Sequence, residues 1–304
     1  MPLHIETPLL ESRPLSLHTG QNIWLKLDAV QPGGSFKIRG IGSACEHYAR
    51  EGKKRFVSSS GGNAGIAVAY AGRRLNIPVT VVVPQTTTER AKALILQENA
   101  DVIVHGASWM EANAHAQSLL TADDAFLHPF DNPLLWQGHA TLIDEVARAG
   151  QFVPDAVVLS VGGGGLLSGV VEGLKRNGWG HVPVITAETA GASSLAQSVA
   201  AGQRIELAAI TSVATSLGAK QVCEQAFELT KSYPIQCAVV SDREALSACE
   251  QFLQDHRVLV EPACGASLAL LYERKVELAG YRNVLVVVCG GATANLEQIR
   301  EWGR

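Results

Sequence analysis

One lysine of this chain stands in an unusual setting. In QPGGSFKIRG (residues 31–40), Lys37 follows a Pro-Gly-Gly-Ser turn and the aromatic Phe36, with Ile38 beyond it. An amine at the start of a helix feels the positive end of the helix dipole, which disfavours its protonated form. A partly apolar setting lowers its pKa further from the unperturbed ~10.4. A neutral lysine amine attacks carbonyls and forms Schiff bases. SVGGGGLLSG (160–169) offers complementary chemistry, because Gly162, Gly163, Gly164 and Gly165 let several N–H groups converge on one anion with no Cβ in the way. A phosphate suits such a cradle. A mere tight turn is a poor explanation, since each glycine costs roughly 0.5–1 kcal/mol in backbone entropy. No G-K-[ST] follows, and G-x-G-x-x-G would need glycine at Leu167.

SSSGGNAG (58–65) adds Ser60 and Asn63 to a glycine-rich loop opening a helix, a setting that binds a carboxylate or simply forms a capped turn. In VVVCGGATANLE (286–297), Cys289 ends a strand and by itself reads as a small core residue. Amine, phosphate cradle and carboxylate loop together describe a site for a phosphorylated aldehyde such as pyridoxal 5′-phosphate.

Short β-branched runs alternate with alanine-rich helical stretches and must position these residues. RFVSSS leads into a helix from about Ala64, and VTVVVP (79–84) and ADVIVHG (100–106) follow. SWMEANAHAQSLLTA is helical; DAVVLSVGGGG precedes a helix to Asn177; VPVITAET and RNVLVVVCGG complete the set. Apolar runs without clean alternation suit strands buried on both faces, and alternation with helices gives an α/β, doubly wound, mostly parallel architecture. Ligands in such sheets sit where strands end and helices begin. HPFDNPLLWQG (128–138), with two prolines, is the expected crossing between two lobes.

The 304 residues are 47% hydrophobic and 18% charged, which describes a large core rather than disorder. A net charge of −4 without a Lys/Arg run argues against a nucleic-acid partner. No apolar segment reaches the ~20 residues of a membrane span. The opening MPLHIETPLLESRPLSL does not read as a signal peptide, and the six cysteines form no CxxC pair, so a cytoplasmic location with free thiols is expected. Nine histidines show no zinc-ligand spacing. His139 in WQGHATL reads as structural, and Trp109, Trp136 and Trp179 as core or interface.

GGSFKIRG, SSSGGNAG, SVGGGGLLSGV and VCGGATAN, in that order, resemble the fold-type II pyridoxal-phosphate enzymes. With VEPACGASLA (260–269) and PVITAETAGASS (183–194), the chain is similar over nearly its whole length to the compact L-serine/L-threonine dehydratase family. The resemblance implies a tryptophan-synthase-β-like fold, with residues 1–38 and 132–304 in a larger cofactor-binding domain and 39–131 in a smaller one. It makes Lys37 the Schiff-base lysine and catalytic base, with Phe36 beside the cofactor ring. It gives Asn63 the 3′-oxygen, Gly162 through Leu166 the phosphate, and Cys289 the pyridine nitrogen, against the core reading above. Ser60, Gly61, Asn63 and Ala64 would hold the substrate carboxylate. Glu188, Ala192, Ser194, Leu217 and Ala219 match a monovalent-cation site, K+ being the candidate ion. A homodimer acting on a small amino acid is implied.

A thiol facing the pyridine nitrogen cannot hold it protonated as an aspartate would, which favours β-elimination. Serine would give pyruvate and ammonium, and threonine 2-oxobutyrate. Related enzymes often carry alanine or serine where this chain has Gly61, so a roomier pocket is expected, worth only ~1–3 kcal/mol of discrimination. The end at Arg304 leads to the expectation of no regulatory domain and no feedback by isoleucine. Rival readings are a β-replacement enzyme such as cysteine synthase, a nicotinamide-dinucleotide oxidoreductase with Glu188 on a ribose, and a noncatalytic binder.

Overall fold

A computed structural model describes residues 2–304. The strands form two sheets. The larger runs β1 (Leu9–Glu11), β2 (Asn22–Lys26), β10 (Asn283–Val287), β7 (Ala156–Ser160), β8 (Val184–Thr189), β9 (Ile235–Val240) across its width. All its pairings are parallel except β1 with β2. The smaller sheet is wholly parallel, ordered β5 (Asp101–Val104), β4 (Val79–Val83), β3 (Arg55–Ser58), β6 (Asp124–Phe126). β4, β7 and β8 are buried at every position, as their unbroken apolar runs require, because helices cover both faces. β9 is a half-exposed edge. β1 escaped sequence reading: three mostly exposed residues carry no apolar period.

All four strands of the smaller sheet lie within the 39–131 segment. The expected crossing at 128–138 is shorter than its sequence suggests. Only residues 128–132 are loop, because Asn132 accepts from Leu134 N–H as an N-cap and Pro133 begins the Pro133–Ala149 helix. Its chain is pinned by His128, whose Nδ1 accepts from the Phe130 and Asp131 N–H groups, and by Trp136 Nε1 donating to Phe130 O.

The helix that begins at Lys37, Lys37–Arg50, is anchored by a buried charge network. Arg39, wholly buried, donates through Nε and Nη2 to both Asp28 oxygens at 2.7 and 2.9 Å, and through Nη1 and Nη2 to both Glu145 oxygens at 2.6 and 2.8 Å. Lys26 closes it on Glu145 at 2.5 Å and donates to Thr7 O. The two cations and two carboxylates balance, so no charge within this network is left uncompensated. Removing one partner of such a network typically costs about 3–5 kcal/mol. Helix 37–50 is thereby tied to β2, to the turn after it and to the Pro133–Ala149 helix.

Candidate active site

The turn before Lys37 is made by Gly33 and Gly34, both left-handed with φ of 78° and 77°. A side chain there would be strained, and at Gly34 a Cβ would also press Ala292 Cβ at 3.2 Å. Phe36 N–H then donates to Cys289 O at 3.0 Å, and Ser35 bridges Gly290, so the first residue of the helix is laid beside the loop after β10. Lys37 is half-buried as a residue with its amine enclosed; Nζ donates to Pro129 O at 2.6 Å and lies 5.2 Å from the Phe36 ring centroid. Burial pushes its pKa down to about 8, with Cys289 and Glu261 opposing the shift.

Below Phe36 lies His139, with ring centroids 4.9 Å apart. Both its nitrogens are buried without a partner among the described residues, and burial, then the neighbouring Lys37, hold it well below the usual imidazole range. It packs against Gly40 and Gly169, whose added Cβ atoms would meet it at 2.6 and 2.4 Å. It is therefore a neutral packing residue.

The 162–165 loop owes its glycines to the protein behind it. A Cβ on Gly163 would strike the Phe130 ring at 2.1 Å; on Gly165, Phe130 O at 2.7 Å; on Gly162, Ser216 O and Leu217 Cα at 3.0 Å. Gly164 has φ 92° and would meet Ala226 Cβ at 2.4 Å. With one side filled, the N–H groups are left to the other. Among the described residues, no protein acceptor takes any N–H from Gly162 to Leu167, although 164–167 are buried and head the Gly165–Arg176 helix. Unpaired buried amides in this number are costly unless they serve an anion. The loop thus fits a phosphate.

The 58–65 loop behaves alike. Gly62 N–H donates to Ser60 Oγ, while the N–H groups of Gly61, Asn63, Ala64 and Gly65 have no acceptor among the described residues. Asn63 opens the Asn63–Leu75 helix and is buried. At Gly61 the expected extra room is absent: a Cβ would point at Thr87 Cγ2 and Oγ1, 2.7 Å away, and at Val83 Cγ1. The missing methyl is filled by the 84–88 segment, so it does not enlarge a substrate pocket.

Cys289 is buried beside Cys264, and a hydrogen bond with that thiol, then burial, raise its pKa well above the ordinary value, so it stays a neutral thiol. All six cysteines are free. Glu188 is buried and accepts from the Leu195 and Ala196 N–H groups at 2.8 and 2.7 Å. Burial raises its pKa to about 7, those N–H groups opposing. Each oxygen thus takes one N–H of the first turn of the Ser194–Ala201 helix. Ser194 Oγ nearby is buried with no partner among the described residues; Ala192 is buried in the preceding turn, and Leu217 O accepts from Ala219 N–H.

Glu261 was not singled out from the sequence. It is 3% exposed, and it accepts from Asn63 Nδ2 and Thr293 Oγ1, each at 2.7 Å. Burial raises its pKa, with bonds from Ser216, Thr293 and Asn63 opposing. Its only sequence signal is a carboxylate before proline in an otherwise apolar helix start.

Residues 1–290 match the family described as pyridoxal-phosphate dependent enzyme. The chain is 43% identical to L-serine dehydratase of Dictyostelium discoideum, across 99% of this chain and 91% of that protein. It is 46% identical to the L-serine dehydratase/L-threonine deaminase of Homo sapiens, across 98% and 94%. Among solved structures, a fungal L-serine ammonia-lyase from Rhizomucor miehei superposes with a TM-score of 0.94 at 35% identity, covering 99% of this chain and 98% of that one.

Proposed function

This chain belongs to the pyridoxal-phosphate-dependent enzyme family, and on that premise we propose that it deaminates L-serine to pyruvate by β-elimination, and L-threonine to 2-oxobutyrate. The observation that carries this reading is an enclosed lysine amine held by Pro129 O, whose next residue, Phe130, backs a loop of N–H groups without protein acceptors among the described residues. When bound, pyridoxal phosphate supplies a carbonyl that captures amines and a conjugated ring that takes up the electron pair left at the substrate Cα. The amides of Gly162–Leu166 would hold its phosphate, Asn63 its 3′-oxygen and Lys37 its carbonyl carbon, with Phe36 beside the ring and Cys289 at the ring nitrogen.

Lys37 Nζ, titrating near pH 8, is the group that takes the Cα proton. The Pro129 carbonyl orients it. Ser60 and the N–H groups of Gly61, Asn63 and Ala64 bind and orient the substrate carboxylate. Cys289, a neutral thiol, offers no charge to keep a ring nitrogen protonated, which favours loss of the β-hydroxyl over transamination. Once protonated, the hydroxyl leaves as water, and the released aminoacrylate hydrolyses to pyruvate and ammonium.

The same reading includes a monovalent cation such as K+ held by Glu188, Ala192, Ser194, Leu217 and Ala219, supported by the buried carboxyl and by the Ser194 hydroxyl, which has no partner among the described residues. It also includes a cytoplasmic homodimer, the first supported by six free thiols and the second by resemblance. No helix among the described residues is long and apolar enough to cross a membrane.

The test is a spectrum of the purified protein with serine or threonine added, coupled to 2-oxo-acid detection. The expected result is a coloured protein, a borohydride adduct at Lys37, 2-oxo acid without added sulfide, and no turnover in Lys37→Ala. A protein that stays colourless with pyridoxal phosphate and forms no adduct at Lys37 overturns it. Activity retained when K+ is replaced by a bulky organic cation removes the cation site alone, and a monomer by light scattering removes the dimer.

A further inference from the structure

Asn63 is gripped by residues distant in sequence. Its Oδ1 accepts from the Ala292 N–H at 3.0 Å, and its Nδ2 donates to Glu261 Oε1 at 2.7 Å and Ser216 Oγ at 3.3 Å. A backbone N–H can only donate, so the side-chain amide has one orientation in which both Ala292 and Glu261 are satisfied. Glu261 itself occupies the N-cap position of the Pro262–Tyr272 helix, yet its side chain makes no cap bond. The carboxyl turns away from its own helix toward Asn63 and toward Thr293 Oγ1. It is wedged there, since a Cβ on Gly291 would lie 2.0 Å from Glu261 Cδ. Burying a carboxyl is unfavourable, and local helix capping does not repay it here.

We propose that Glu261 is a positioning residue, which holds the Asn63 amide one way round and locks the 58–65 loop to the 289–293 loop across the cleft. Asn63 opens the helix whose first N–H groups lack acceptors among the described residues, so its orientation and the placement of that loop are set together. The other N–H of Nδ2 reaches Ser216 Oγ at 3.3 Å, the longest of the three bonds. The inference rests on the function proposed above.

The test is a double-mutant cycle between Glu261→Ala and Asn63→Ala, with Glu261→Gln as the conservative variant. The readouts are the pyridoxal-phosphate Kd of the cofactor-free protein by absorbance and fluorescence, its thermal melt, and serine kcat and KM. Loss of one buried hydrogen bond predicts about tenfold weaker cofactor binding in Glu261→Ala. If Glu261 acts through Asn63, the double variant binds no more than about twofold more weakly than Asn63→Ala. Glu261→Gln retains an acceptor for Asn63 Nδ2 and a donor for Thr293, so it stays within about threefold of wild type. Multiplicative effects, or a Gln variant as impaired as the Ala variant, overturn the proposal. Should Glu261→Ala fail to fold, Thr293→Val loosens the same carboxyl from its other side. It is expected to weaken cofactor binding about two- to fourfold in wild type and not at all in Asn63→Ala; equal effects in both overturn the proposal. Wild-type protein that binds no pyridoxal phosphate at Lys37 sinks the parent reading, and this one with it. Binding in wild type with multiplicative variants sinks only the role of Glu261.

Discussion

The loop after β7 and the loop after β3 both follow a parallel strand, open a helix and present N–H groups without protein acceptors among the described residues, yet different material stands behind them. Behind 162–165 lie the Phe130 ring, the 216–217 backbone, Val222, Cys223 and Ala226, and Gly163 O accepts from Cys223 N–H. That loop cannot shift without moving part of the larger core. Behind 60–63 the support is lighter. Thr87 leans on Gly61, Glu261 holds Asn63, and a Cβ on Gly62 would find nothing nearer than Ser60 Oγ at 3.9 Å. On the function proposed above, the rigidly packed loop would serve a cofactor that stays bound through every turnover, and the loop hung on side chains a substrate that enters and leaves.

Lys37 belongs to the rigid half, since Pro129 precedes the Phe130 that backs the glycines. In cofactor-free protein its acylation, followed by mass spectrometry, should rise with pH to a midpoint near 8. Ordinary lysines titrate near 10.4, so at pH 7 its neutral fraction is on the order of 10² larger than theirs. A lowered lysine pKa means the unfolded chain binds more protons between about pH 8 and 10.4, so this group makes stability rise with pH across that window. Phe130→Ala, by admitting water, should move the midpoint toward 10; an unchanged midpoint breaks the link between amine and glycine loop.

Gly163→Ala comes next. The new methyl must displace the Phe130 ring, and a misplacement of this size costs about 100-fold in function. The loss should fall on pyridoxal-phosphate Kd, with serine KM at saturating cofactor within about threefold. Overpacking should also cost about 1–3 kcal/mol in denaturant unfolding. Were serine KM to carry the effect, the assignment of the two loops would be reversed.

Gly61→Ala is expected to raise serine KM about threefold and leave cofactor affinity alone, with Thr87→Ala restoring KM in the double variant. The threonine-to-serine preference should not change direction, because the methyl meets Thr87 and not the pocket. Gly62→Ala should stay within about twofold on every readout. A large effect there would show that the lighter loop is packed as tightly as the other.

Much of this site could be read along the chain, because its parts are local. Lys37 after a glycine turn, and the glycine runs between a buried strand and a helix, follow from propensity, dipole and steric rules that act over a few residues. The order of their four motifs also carried the resemblance. Less legible were the short strand β1, Glu261, and the real reason for each glycine. The run at 162–165 suggested freedom on the anion side, whereas Phe130, Leu217 and Ala226 demand it from behind. The expectation at Gly61 failed for the same reason, since Thr87 lies 26 positions further along and no spacing rule connects them.

By itself, then, the amino-acid order determined which strands are buried, where helices begin, and that a lysine follows a glycine turn while glycine runs link a buried strand to a helix. Only tertiary structure decided that Arg39, Asp28, Glu145 and Lys26 neutralise one another beneath Lys37, and that Glu261 turns from its own helix to hold Asn63. The physical reason is range: backbone preference and hydrophobic period act between near neighbours, while compensation of buried charge and steric crowding depend on which distant segments the packed core brings into contact.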